Sequence, residues 1–176
     1  VANDIDGAVV EAMMKAVEQN FPLAQRYFSL KAKLLGLDKL QMYDQYAPVG
    51  EVKRTMRYDA AQQKIMTAIT RFSPKFADIS ARFFNENWID AAPRPAKIGG
   101  AFCCPINSAE PPFILMSYND QLYDVMTLAH ELGHGIHFYL SGKQTWLNYN
   151  CSLPVAETAS VFAEMLVFED LLAEMN

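Results

Sequence analysis

The sequence predicts a mainly α protein with a small β hairpin or sheet set before one long helix. Three observations carry that expectation. Apolar residues recur at helical spacing along much of the chain, as at Val10, Met13, Met14 and Val17. The stretch 92–112 breaks the pattern with five of the nine prolines and the Gly99-Gly100 pair. The apolar run from Phe113 to Ser117, held between Pro112 and Asn119, is too short for a helix and reads as a strand.

Each element follows in order. Asp4 to Gln19 is predicted helical and ends at Asn20-Phe21-Pro22; Pro22 to Leu35 follows and closes at Gly36, a natural C-terminal stop. "QMYDQYAPVG", Gln41 to Gly50, mixes aromatics with Pro and Gly and reads as extended chain or loop. Helix resumes after Asp59, a candidate N-cap, and runs through Phe72. Ser73-Pro74 combines an N-cap with proline at the first helical position, and Phe76, Ile79 and Phe83 supply the next apolar face. Within the proline-rich stretch, Ala101 to Cys104 suits a short strand. Asn119 or Asp120 then caps a long helix to Leu140 that stops at Ser141-Gly142, and Pro154 opens a last helix toward Asn176. The organisation expected is a single region, part of a larger helical domain: helices over 1–92, loop and short strands over 93–118, and two site-bearing helices over 119–176.

Composition narrows the function. A chain of 176 residues, 51% hydrophobic and 20% charged, can bury one core. A formal charge of −5 argues against a nucleic acid partner, which would need clustered Lys and Arg to displace counterions. No run approaches the ~18 apolar residues of a membrane span, and the start lacks a basic segment followed by an apolar one. Cys103, Cys104 and Cys151 are odd in number and lack C-x-x-C spacing, so they read as free thiols in a reducing compartment. A cytoplasmic protein is the expectation.

The chemistry concentrates in "TLAHELGHGIHFYL", Thr127 to Leu140, which holds all three histidines. On a helix, His130 and His134 project from one face with Cβ atoms ~5–6 Å apart, close enough to share one zinc ion. Glu131 lies about 100° around the axis. There it cannot replace either histidine, but it can take a proton from a water at the metal's open position and pass it to a leaving amine. By itself an H-E-x-x-H is matched by a chance reading, a helix that happens to carry polar residues. His137 is seven residues past His130, about 10.5 Å along the axis. One ion cannot span that, so His137 is expected to pack or hydrogen-bond beside the site. The third ligand must then be a carboxylate or a cysteine. Glu157, on the first turn of the last helix and followed by small residues, leads; Cys151 is weaker, and Glu164, Glu169, Asp170 and Glu174 read as solvated. Ser160 reads either as a support for Glu157 or as a helix-packing serine. Gly133 and Gly135 cost helix stability, which close approach of another backbone or of substrate would justify.

"TLAHELGHGIHFYL", "PVAETASVFAEML" and "KIGGAFC…PPFILMSYNDQLYDV", with fainter matches in "YDQYAPV" and "RYDAAQQKIM", resemble the oligoendopeptidase F family of thimet oligopeptidase-like zinc peptidases. The resemblance implies a mainly α, zincin-like fold, one Zn2+ per chain held by His130, His134 and Glu157, and Glu131 as general base. It implies a metalloendopeptidase acting on oligopeptides. It also implies that Phe113–Ser117 is the strand whose edge pairs with substrate. Family members are several times longer, so the chain is expected to be the zinc-bearing core of a longer enzyme. Later helices, which supply oxyanion-stabilising groups, are missing from it, and slow hydrolysis by the fragment is expected because such donors are worth ~10² to 10³ in rate. The alternatives are a metallocarboxypeptidase or dipeptidase with the same ligands, or a non-catalytic zinc-binding helical module.

Overall fold

The computed structural model describes residues 3–50 and 55–174. The chain forms two compact units, Asn3–Lys53 and Arg54–Asn176. In the first, α1 (Gly7–Gln19) and α2 (Phe21–Leu34) are joined through Asn20. Asp4 does not start α1: its φ is +46°, and the helix is capped instead by Asp6, whose carboxylate accepts from the Ala8 amide at 2.7 Å. Gly36 closes α2 with φ +70°, a conformation that suits a residue without Cβ. Lys31 is buried, and its Nζ donates to the Gln45 carbonyl at 2.6 Å. A 3₁₀ turn, Met42–Asp44, stands in the segment read as loop.

The second unit carries the site. Its α3 (Tyr58–Phe72) is N-capped by Arg57 rather than by Asp59. Asp59 already lies in the first turn, where its charge complements the helix dipole and accepts from Arg57 Nε at 3.2 Å. Ser73 caps α4 (Pro74–Asn85) as expected, accepting from the Phe76 amide. The next element, β1 (Ile89–Asp90), is two residues long and shows no alternation that a sequence could betray. β2 (Phe102–Cys104) and β3 (Phe113–Leu115) complete a sheet of order β1-β3-β2, parallel between β1 and β3 and antiparallel between β3 and β2.

That order corrects one expectation. β3 is the central strand: Ile114 N–H donates to the Trp88 carbonyl at 2.8 Å and Met116 N–H to the Asp90 carbonyl at 3.0 Å, while Phe113 and Leu115 face β2. A substrate cannot pair with a strand flanked on both sides. The edge available beside the long helix belongs to β2, where Cys103, opposite Ile114, turns its N–H and C=O outward.

α5 (Leu122–Ser141) is capped by Gln121, not by Asn119 or Asp120. Asp120 holds φ +59° in the preceding turn, and Asp124 accepts from the amides of Asn119 at 2.7 Å and Gln121 at 3.0 Å, closing a capping box. α6 (Leu153–Ala173), with Pro154 in its first turn, packs along α5. Between them the backbones touch. A Cβ on Gly133 would sit 2.5 Å from the Ala159 carbonyl oxygen and 2.7 Å from Ser160 Cα, so only glycine permits this spacing. Gly135 meets a side chain instead, the ring of Phe83. Phe83, Ile65, Ile69, Ile114, Leu128, Leu132 and Val167 form the fully buried centre. Asp170 and Glu174 are not merely solvated: they pair with Arg71 and Lys64 of α3.

Candidate metal centre

α5 and α6 bring three side chains to one point. His130 Nε2 lies 3.4 Å and His134 Nε2 3.6 Å from Glu157 Oε2, and one donor atom from each residue falls within 4.8 Å of the others. Zn–N and Zn–O bonds of ~2.0–2.1 Å in tetrahedral geometry separate neighbouring donors by about 3.4 Å, so this donor set fits a single zinc. The two rings are 5.0 Å apart and nearly perpendicular.

Behind the donors stand groups that orient them. His130 Nδ1 faces Glu164 Oε2 at 3.1 Å. A carboxylate only accepts, so Nδ1 keeps the proton and the Nε2 lone pair is left for a metal. Ser160, fully buried, has its hydroxyl 2.8 Å from Glu157 Oε2 and 2.9 Å from the Glu157 carbonyl oxygen, so its one proton can go to either. His134 Nδ1 is buried, and the backbone of Ala156 on α6 is the polar group set against the ring. Burial pushes the His134 pKa down and keeps the imidazole neutral, the form that ligates.

Glu131 is 7% exposed, and burial raises its carboxyl above the usual range. It accepts a hydrogen bond from the Cys103 backbone, the outward-turned N–H of β2. The base candidate therefore sits at the free strand edge, next to the converging nitrogens. His137 is outside the donor set, as expected, with Nε2 3.1 Å from Cys151 Sγ; Cys151 is thereby engaged away from the metal donors.

Glu164 is the residue that spacing arguments missed. Its axial distance from Glu157 rules it out as a ligand to the same ion, but an imidazole has two nitrogens. With Nε2 of His130 aimed at Glu157, Nδ1 points back along α5, where antiparallel α6 presents residues two turns beyond Glu157. The i, i+7 recurrence of glutamate on α6 was the available signal.

Two imidazoles and a carboxylate thus converge beside a buried glutamate at a strand edge, a donor set that fits one metal ion. The model of Peptidase family M3 matches residues 2–176, and the chain belongs to that family. It is 34% identical to Group B oligopeptidase PepB of Streptococcus agalactiae, over 99% of this chain and 29% of that protein. With Oligopeptidase PepF of Bacillus subtilis it shares 31% identity, over 99% of this chain and 26% of the relative. The crystal structure of a candidate peptidase from Chlamydophila abortus superposes with TM-score 0.81 at 30% identity, covering 98% of this chain and 29% of that one. A structure of PZ peptidase A with an inhibitor shares the fold, with TM-score 0.81 at 21% identity. The chain thus spans less than a third of the length of these relatives. Among the described residues no helix is long and apolar enough to cross a membrane.

Proposed function

We propose that this chain is the catalytic core of a zinc endopeptidase that hydrolyses oligopeptides, with His130, His134 and Glu157 as ligands and Glu131 as general base. The observation that carries the reading is the approach of both Nε2 atoms to one oxygen of Glu157, at 3.4 and 3.6 Å, while Glu131 stands free of the donor set. Zinc bound there would supply Lewis-acid polarisation of a carbonyl and lower the pKa of water toward ~7.

The protein's own groups do the rest. Glu164 holds His130 in the ligating tautomer, and Ser160 hydrogen-bonds to Glu157. A peptide added along the edge of β2, where the Cys103 carbonyl faces outward and the Cys103 N–H already donates to Glu131, would lie beside that carboxylate. The carboxylate takes a proton from the attacking water and delivers it to the departing amine, and burial, which raises its pKa, favours its holding that proton between the two steps. Names of the relatives, PepB and PepF oligopeptidases, support a short peptide as substrate.

Glu131→Gln tests the assignment. The variant is expected to keep its zinc, measured by elemental analysis, and to lose at least about 10² in kcat, in the range of general-base loss. Unchanged turnover would remove Glu131 from the mechanism. Cleavage confined to one terminus of longer peptides would favour an exopeptidase instead.

A further inference from the structure

The three histidines of α5 face α6 and its lead-in at successive levels. Glu164 stands 3.1 Å from His130 Nδ1, Glu157 faces the Nε2 atoms of His130 and His134, and Cys151 Sγ lies 3.1 Å from His137 Nε2. The first two contacts serve the metal donors. The third stands outside the donor set, where the connection 142–152 turns into α6. We propose that His137 and Cys151 are positioning residues for the metal centre: their hydrogen bond fixes the start of α6 against α5 and so holds Glu157 within reach of the ion bound by His130 and His134. The inference rests on the zinc reading above.

The start of α6 is not fixed by its own cap. Ser152 occupies the N-cap position without a side-chain bond, and the connection leading to it exposes Trp146 and Leu147. That connection is held back on α5 by Tyr149, buried with its ring 6.1 Å from that of Phe138, and by Cys151 on His137. The thiol also reaches the ligands through one buried residue: the backbone of Ala156, which immediately precedes Glu157, interacts with Cys151 and with the His134 ring alike. Glu157 is thereby bracketed. Beyond it, the backbones of α5 and α6 meet where Gly133 faces Ala159 and Ser160; before it, the Cys151–His137 bond closes the same interface. With that bond removed, the first turn of α6 is free to pivot about the Gly133 contact, and the Glu157 carboxylate moves with it. Burial pushes the Cys151 thiol up and the His137 imidazole down, so both are neutral near pH 7, and either ring tautomer completes one hydrogen bond with the thiol. A neutral thiol is a poor nucleophile, which leaves the pair a structural bond.

The test is made in the complete polypeptide that carries these residues. Zinc affinity is measured by competition with a chelating dye, and the zinc-free protein is unfolded in denaturant alongside. Cys151→Ala and His137→Ala are each expected to weaken zinc binding by about 10- to 100-fold, the range for groups that orient metal ligands. The double variant should lose no more than the larger single loss, because one bond is removed either way. Cys151→Ser keeps a hydroxyl against His137 and should retain zinc better than Cys151→Ala, so it tests the bond even where His137→Ala does not fold. Parental zinc affinity in a folded Cys151→Ala protein, with or without a shift in zinc-free unfolding, would make the pair a packing contact and overturn the inference. A loss confined to the Cys151 variants, with His137→Ala unaffected, would make the thiol itself a ligand and overturn it equally. Zinc held undiminished by His130→Ala would instead overturn the centre on which the inference stands.

Discussion

The α1–α2 pair and the α5–α6 pair are both helices consecutive in the chain, yet they bury very different shares of themselves. α1 has apolar residues at helical spacing and buries none of them, and α2 buries only Lys31 and Ala32. α5 buries eight residues, Glu131 among them, and shares a backbone contact with α6 at Gly133. Amphipathic periodicity specifies a helix and the side it offers; it says nothing of how much cover that side receives. Stability and the chemistry of the site should therefore depend on the second pair far more than on the first.

Four changes would break or sharpen that contrast. The largest effect is expected from Phe83→Ala, which empties the centre of the core beside Gly135 and should cost about 3–5 kcal/mol in denaturant unfolding. Gly133→Ala comes next. Its Cβ meets backbone on α6 that cannot rotate away, so overpacking should cost about 1–3 kcal/mol and also weaken zinc retention by shifting Glu157 away from the histidines. Native zinc affinity in that variant would show that the helix spacing does not set the donor distances.

A smaller, pH-dependent effect belongs to Asp90, at the end of β1. Arg94 and then Lys97 hold its carboxyl well below the usual range, so the stability it contributes is present above the unfolded value of about 4 and is lost as pH falls through the acid range. Asp90→Asn should accordingly differ from the parent at neutral pH, and the two should converge on acidification. Divergence on acidification would contradict the pairing. The smallest effect is expected from Met13→Ser on α1. That side chain is 55% exposed, and the change should stay within about 0.5 kcal/mol in a thermal melt of this chain. A loss comparable to that of Gly133→Ala would mean α1 is covered in solution.

Much of the site was legible in the sequence because its spacing is helical. Two histidines four apart on a helix must share a face, and the glutamate between them cannot, whatever the rest of the fold does. Glu157 was legible for a related reason, as a carboxylate opening the following helix ahead of small residues. The strands were legible from their punctuation, but their order was not: β1 is two residues long, and its pairing joins Trp88 and Asp90 to Ile114 and Met116 across an intervening loop. The caps at Arg57 and Gln121 escaped because residues of better capping type stood nearby. Those residues were either already inside the helix or held in a left-handed turn.

By itself the sequence determined the helices, the shared face of His130 and His134, and that His137 lies too far along the axis to join them on one ion, because local periodicity and bond lengths dictate all three. Tertiary structure alone decided that β2 rather than β3 offers the free edge, that Glu164 holds the far nitrogen of His130, and that Gly133 is the point where α5 and α6 meet. Each depends on which segments distant in sequence lie against one another, and side-chain packing and strand register, which local spacing does not encode, settle that.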